Sequence, residues 1–315
     1  MADSMRDIKR RIKSVSSTKQ ITHAMQLVAS AKLRHARSKA DARRAYTNYI
    51  IETMHMIAQA LENEEPNAFL EENSSKKDLY IVITSDKGLA GGFNSGLLKF
   101  AVEEMQQSEE KAVAVSGAKG LDFFKRRNYE ILGSYVGDSD EADFGNAARI
   151  GKAATTLFLE GKVGRVYIIY NRFVSVMTQK PTIVRLLPLT ISEMQSKADE
   201  IDTETMNGEY KAEEGLLPKP AQCMLFEPSA VYLAAKLIPS YINNAVYGAL
   251  LESAAGELAS RRMAMENATD NADEIIDDLS LAYNRARQGA ITQEITEIVS
   301  GAEAVSYTHL RAHET

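Results

Sequence analysis

The chain has 315 residues with 44% hydrophobic and 25% charged side chains and a formal charge of -6, which excludes a disordered polyelectrolyte and supplies core material for one or two domains. A single cysteine, Cys223, excludes an internal disulfide and a cysteine-built zinc cage and fits a reducing compartment. No apolar stretch approaches the roughly eighteen residues of a membrane span, and the N-terminal MADSMRDIKRRIKSV lacks the apolar centre of a signal peptide; the expectation is a cytoplasmic chain, or one attached peripherally to something else.

All seven prolines lie between Pro66 and Pro239, and residues 1–87 contain no glycine. Because proline breaks helix interiors, both ends of the chain are free to form long uninterrupted helices. In the N-terminal segment Ile8, Ile12, Val15, Met25, Val28, Tyr46, Ile50, Met54, Ile57 and Leu61 recur by threes and fours, one helical stripe. His23, His35 and His55 lie along this helix too far apart to share a metal ion.

From residue 78 the pattern changes. DLYIVIT (78–84), KAVAV (111–115), YEILGSYV (129–136) and RVYIIY (165–170) read as strands, separated by helical stretches such as 94–107 and 142–160. This alternation predicts a parallel sheet with covering helices. FVSVMTQKPTIVRLLPL then reads as a hairpin with its turn near Lys180 and Pro181. Residues 191–215 carry eight acids against two lysines and read as a solvated insertion.

After the first strand comes SDKGLAGGFNSG, residues 85–96, at the place where α/β enzymes cradle phosphates. Its glycines, Gly88, Gly91, Gly92 and Gly96, fit neither G-x-G-x-x-G nor a loop ending in G-K-[ST], and the second strand does not end in a ribose-binding acid. A tight structural passage from strand to helix is the favoured reading, with Lys87 keeping the phosphate alternative open.

In the C-terminal segment Leu258, Met265, Ala268, Ala272, Ile275, Leu279, Ala282 and Ala286 alternate by threes and fours once Arg261 is accepted as an interruption. This is a coiled-coil seam, and its alanines let a second slender helix approach closely. Charge pairs the two ends of the chain: residues 1–60 hold twelve basic and four acidic side chains, residues 240–305 four basic and eleven acidic. Helices of this length outrun a small domain at about 1.5 Å per residue, so a protruding rod is expected, seated in a partner with a deep cavity. The acidic run 266–278 reads as a solvated face, and His309 and His313 lack the carboxylate or cysteine set of a metal site. No catalytic constellation appears, so the chain reads as no enzyme by itself, with no cofactor and no metal.

Three separated stretches, ITHAMQLVASAKLR (21–34), SDKGLAGGFN (85–94) and NRARQGAITQEITEIVSGA (284–302), resemble the gamma subunit of the bacterial rotary F-type ATP synthase, as do QKPTIVRLLPL and ATDNA. The resemblance spans residues 1–305. It implies an α/β fold with a long antiparallel α-helical coiled coil, in which the N- and C-terminal helices form the rod beside a central Rossmann-like parallel-sheet domain. The expected divisions are an N-terminal helix at 1–65, an α/β foot at 66–228 with an acidic insertion at 191–219, and a C-terminal helix at 229–305. Residues 306–315, SYTHLRAHET, depart from the family pattern and read like translated vector or adapter material.

By the same resemblance the chain is a rotor shaft without catalytic residues, in a proton-translocating complex on the cytoplasmic face of the bacterial inner membrane. Its implied partners are three alpha and three beta subunits, the epsilon subunit and the membrane c-ring, with membrane association only through the complex and no nucleic acid. The residues implied to contact the ring are Met25, Arg261, Arg287, Gln288, Thr292 and Glu297, with Ile291, Ile295 and Ile298 as an apolar bearing; plain coiled-coil packing is the other reading of the isoleucines. Two rival functions carry their own tests. A nucleotide-binding α/β enzyme with helical arms would bind nucleotide tightly through residues 78–190, and a scaffold with a basic nucleic-acid-binding arm would bind DNA with steep salt dependence.

Overall fold

A computed structural model describes residues 5–61, 68–71, 73–137, 142–189, 226–227 and 229–312. The elements among them are α1 (Met5–Leu61), β1 (Lys77–Ile83), α2 (Phe93–Met105), β2 (Glu110–Ser116), α3 (Ala118–Arg126), β3 (Ile131–Tyr135), α4 (Phe144–Leu159), β4 (Arg165–Phe173), β5 (Gln179–Leu187) and α5 (Ala230–Ala312). The insertion at 191–219 and Cys223 lie outside the described residues. The chain divides into two compact units, Ala29–Met263 and the pair Met1–Val28 with Ala264–Thr315.

In the larger unit five strands form one sheet in the order β3-β2-β1-β4-β5. The first four are parallel and β5 runs antiparallel to β4. β1 is buried on both faces, which explains its unbroken apolar run. Its alternate residues serve different layers. Leu79, Ile81 and Ile83 pack with Ile150, Ala154 and Phe158 of α4, with Ile50, Met54 and Ile57 of α1, and with Ile238, Ile242 and Val246 of α5. Tyr80 and Val82 pack on the other face with Leu97, Ala101 and Met105 of α2 and Phe124 of α3. The inner part of both long helices is therefore core material for the sheet.

The β4–β5 hairpin differs from the sequence expectation. Lys180 and Pro181 sit inside β5, paired with Arg172 and Asn171, and the turn is at residues 174–178, where the Ser175 amide donates to the Thr178 carbonyl at 3.0 Å. Proline is tolerated there because β5 is the last strand of the sheet, and a missing N–H on the outward side breaks no ladder bond. Pro239 likewise lies inside α5, which starts nine residues earlier at Ala230.

Further along the same unit α1 and α5 run antiparallel: Leu33 and Ala36 pack with Ala255, Leu258 and Ala259, and Arg43 donates to the Asn244 side chain at 2.9 Å. Gly248 makes room for that arginine, since a Cβ there would lie 2.1 Å from Arg43 Nη1. Burial pushes the Arg43 guanidinium below its ordinary pKa, with nearby Glu252 opposing the shift.

In the smaller unit the helices are antiparallel too. Lys19 Nζ meets Asp273 Oδ1 at 2.5 Å, and the buried hydroxyls of Thr22 and Thr269 share a hydrogen bond of 2.8 Å. Of the positions expected inward here, Ile8, Met265 and Ala272 are buried, while others turn outward. Thr269 and Ala272 are buried while Ile275 is 48% exposed, and on α1 Val28 is exposed whereas Ile8 is buried. Tyr46, in the larger unit, is likewise exposed, and Ala29, Leu33 and Ala36 are buried there. A straight helix drifts about 20° per heptad against a strict seven-residue repeat, so a stripe read as one line does not stay on one face.

Candidate functional site

The exposed end of α5 carries seven of the residues singled out from sequence. The register that sets Thr22 on Thr269 brings Met5, the first described residue of α1, opposite residue 286. Beyond that point α5 has no antiparallel partner among the described residues, and residues 291–302 are all exposed. Ile291, Ile295 and Ile298 are 47%, 56% and 71% exposed. With Arg287 one turn before, their spacing of four, four and three lines them along one helix face. Gln288 and Thr292 stand one position around the helix, and the Thr292 hydroxyl donates back to the Gln288 carbonyl at 2.9 Å. Gln293 donates to Glu297 at 3.0 Å, which holds that carboxylate along the helix. The result is an apolar strip edged by polar groups.

Met25 and Arg261 stand apart from this cluster. Met25 is half-buried on α1 in the smaller unit, and Arg261 is 8% exposed on α5 in the larger one. Arg261 Nη2 bonds to Glu257 Oε1 and also donates to the Gly88 carbonyl at 3.3 Å. The residue that interrupts the apolar seam is thus spent on the glycine loop. Glu257 was not singled out from the sequence, although the i,i+4 spacing of Glu257 and Arg261 on a helix signals the pair.

The loop itself satisfies its own polar groups. Asn94 accepts from the Ser85 amide at 3.0 Å and donates to Ser85 Oγ at 2.6 Å, which in turn donates to the Lys87 carbonyl at 2.7 Å. Asp86 accepts from the Ala118 amide at the start of α3 at 2.9 Å and from the Gly137 amide at 3.1 Å. A carboxylate of the loop thus caps the N-terminus of the neighbouring α3, and an anion brought to the loop would meet like charge. The geometry favours the structural reading of the loop.

At the opposite end of β1, buried Asp78 accepts from Arg165 through both oxygens at 2.8 and 3.0 Å and from the Ser108 hydroxyl, which pairs with Tyr80 at 2.6 Å. These side chains line a hollow of about 290 Å³ with Tyr167 and Arg185. The hydrogen bonds from Arg165 to Asp78 hold the guanidinium above its ordinary pKa. Nothing in the sequence pattern flagged this network, because its hydrogen bonds join residues 28 to 87 apart.

The family model described as ATP synthase matches residues 4–305. The chain is 45% identical over 307 residues to the ATP synthase gamma chain, sodium ion specific, of Acetobacterium woodii, covering 97% of this chain and 100% of that one. It is 44% identical over 305 residues to the ATP synthase gamma chain of Alkaliphilus metalliredigens, with the same coverage. Among solved structures, a chain of the central stalk and c-ring of the Tetrahymena thermophila mitochondrial ATP synthase is 25% identical at a TM-score of 0.57, covering 79% of this chain and 99% of that chain. A chain of the Euglena gracilis mitochondrial ATP synthase rotor, 21% identical, has the same fold at a TM-score of 0.61 over 91% of this chain and 98% of that chain. With the paired end helices, the sheet and a full-length match in agreement, this chain belongs to the ATP synthase gamma chain family.

Proposed function

We propose that this chain is the central rotor shaft of a rotary ATP synthase, carrying torque between an ion-driven membrane ring and the catalytic sites of a ring of three alpha and three beta subunits. The observation behind this reading is the unaccompanied end of α5, an apolar strip of Ile291, Ile295 and Ile298 that nothing among the described residues covers. In the assembly the strip is the bearing inside the ring. Arg287, Gln288, Thr292 and Glu297, at its edge, are the polar contacts, and Met25 is a contact from α1. A strip on one side of one helix cannot face three equivalent sites alike, so each site takes a conformation set by the shaft's angle. Turning the shaft then changes nucleotide affinity, and by linkage nucleotide turnover turns the shaft.

The foot, residues 66–228, rests on the membrane ring together with an epsilon subunit, so the chain is peripheral, on the cytoplasmic face of a bacterial inner membrane. No described helix is long and apolar enough to cross a membrane. The driving ion in this reading is the proton. It is selected in the membrane ring, and replacing it by sodium would leave the shaft mechanism unchanged.

The test is co-purification of the tagged chain from its own cells. Alpha and beta subunits are expected with it, each in threefold molar excess. A chain that comes down alone, or with nucleic acid in place of the ring, overturns the reading.

A further inference from the structure

Two turns of α5, residues 255–261, are held from two sides within the larger unit. On one side Phe173 and Val176 of the hairpin pack with Ala255, Leu258 and Ala259, and Ser260 donates to Gln179 at 2.8 Å. On the other, Arg261 reaches the Gly88 carbonyl. Apolar packing resists separation but is not directional, so it opposes rolling of the helix weakly. Hydrogen bonds lose strength steeply as their angle changes, so Arg261 and Ser260 supply the resistance to rolling.

The Arg261–Glu257 pair is nearly dry, its side chains 10% and 3% exposed. Buried ion pairs of this kind add little net stability over an apolar pair of the same size, because desolvation offsets the attraction. A geometric role accounts for the pair better. A planar guanidinium addresses a carboxylate and a backbone carbonyl together, which an ammonium matches poorly. The acceptor is itself oriented: Leu89, next in the chain, has φ 63°, a conformation that branched apolar side chains adopt rarely. On its far side the loop is anchored to the first turns of α3 through Asp86 and of α2 through Asn94, both helices packed on the sheet.

We propose that Arg261 is a positioning residue that locks the glycine loop onto α5, so that sheet and helix turn as one body when torque passes between them. This rests on the shaft reading above. Arg261 acts through Gly88 and not by touching the ring.

The experiment uses the assembled complex carrying Arg261→Gln, Arg261→Lys, Asp86→Ala or Arg261→Gln with Asp86→Ala, with Arg262→Gln as a neighbouring control. Two quantities are read, amide hydrogen exchange across residues 86–92 and ions pumped per ATP hydrolysed. Arg261→Gln is expected to speed exchange in the loop about tenfold, leave residues 110–116 protected, and lower the pumping ratio several-fold. Lysine, keeping the charge but not the fork, restores less than half of either loss. Arg262→Gln behaves as the native chain. Asp86→Ala gives the same loss, and the double variant is no worse than the worse single one, because both act through one loop. Unchanged loop exchange in Arg261→Gln overturns the proposal, as does an unchanged pumping ratio or an additive double variant. Loss of the alpha and beta subunits from the native complex contradicts the shaft reading instead, and loop exchange still decides the lock.

Discussion

Gly117, between β2 and α3, has φ 96°, and a Cβ there would lie 2.2 Å from the Thr84 carbonyl oxygen. Backbone cannot retreat as a side chain tip can, so Gly117→Ala is expected to destabilise the fold by about 2 kcal/mol or more, read by urea unfolding. Tyr170 titrates differently from an exposed tyrosine: burial first, then the Glu252 charge, pushes it up to about 12. Its ionised form is disfavoured in the fold, while the unfolded residue titrates near pH 10. The stability held below pH 10 therefore falls as pH climbs from 10 to 12, by on the order of 2 kcal/mol, and Tyr170→Phe should remove that part of the slope in unfolding measured across this range. At the start of β1, Asp78→Ala deprives Arg165 and the Ser108–Tyr80 hydroxyls of their shared acceptor and should cost about 2 kcal/mol. Removing Glu130 from its exposed pair with Lys77 should cost clearly less than Asp78→Ala, and the difference between the two variants in one unfolding series checks the assignment.

Helix α5 serves the sheet at one end and stands unaccompanied among the described residues at the other, and substitutions should separate the two roles. Ile295→Asp is expected to leave the stability of the isolated chain within about 0.5 kcal/mol of native, because the side chain is 56% exposed. In the complex the same change should weaken assembly or coupling. A large loss of stability in the free chain would return the isoleucines to plain coiled-coil packing. Much of this was legible beforehand. Strands β1, β2 and β4 announce themselves as apolar runs because both faces are largely covered, and the helices at the chain ends follow from where proline is absent. What escaped depends on neighbours distant in sequence. Pro181 looks like a turn residue until its strand proves to be the last of the sheet, and Arg261 looks like a fault in the seam until Gly88 appears beside it. The face that each stripe turns inward depends on helix drift, so Val28 and Ile275 were read inward and lie outward.

At the scale of the whole molecule, the two long helices pair within each unit, by the Lys19–Asp273 ion pair in one and the hydrogen bond from Arg43 to Asn244 in the other. Both helices also insert core residues beside the sheet, so in the proposed shaft a single chain would link the exposed strip of α5 to the sheet body. No catalytic group is needed for that task, since turnover belongs to the partners and this chain supplies an angle. The most direct measurement fixes the alpha/beta ring to a surface, attaches a bead to the foot of this chain and adds ATP. The account predicts sustained rotation in one direction, in three equal steps per turn. ATP hydrolysis at the native rate with a bead that only wobbles would contradict it.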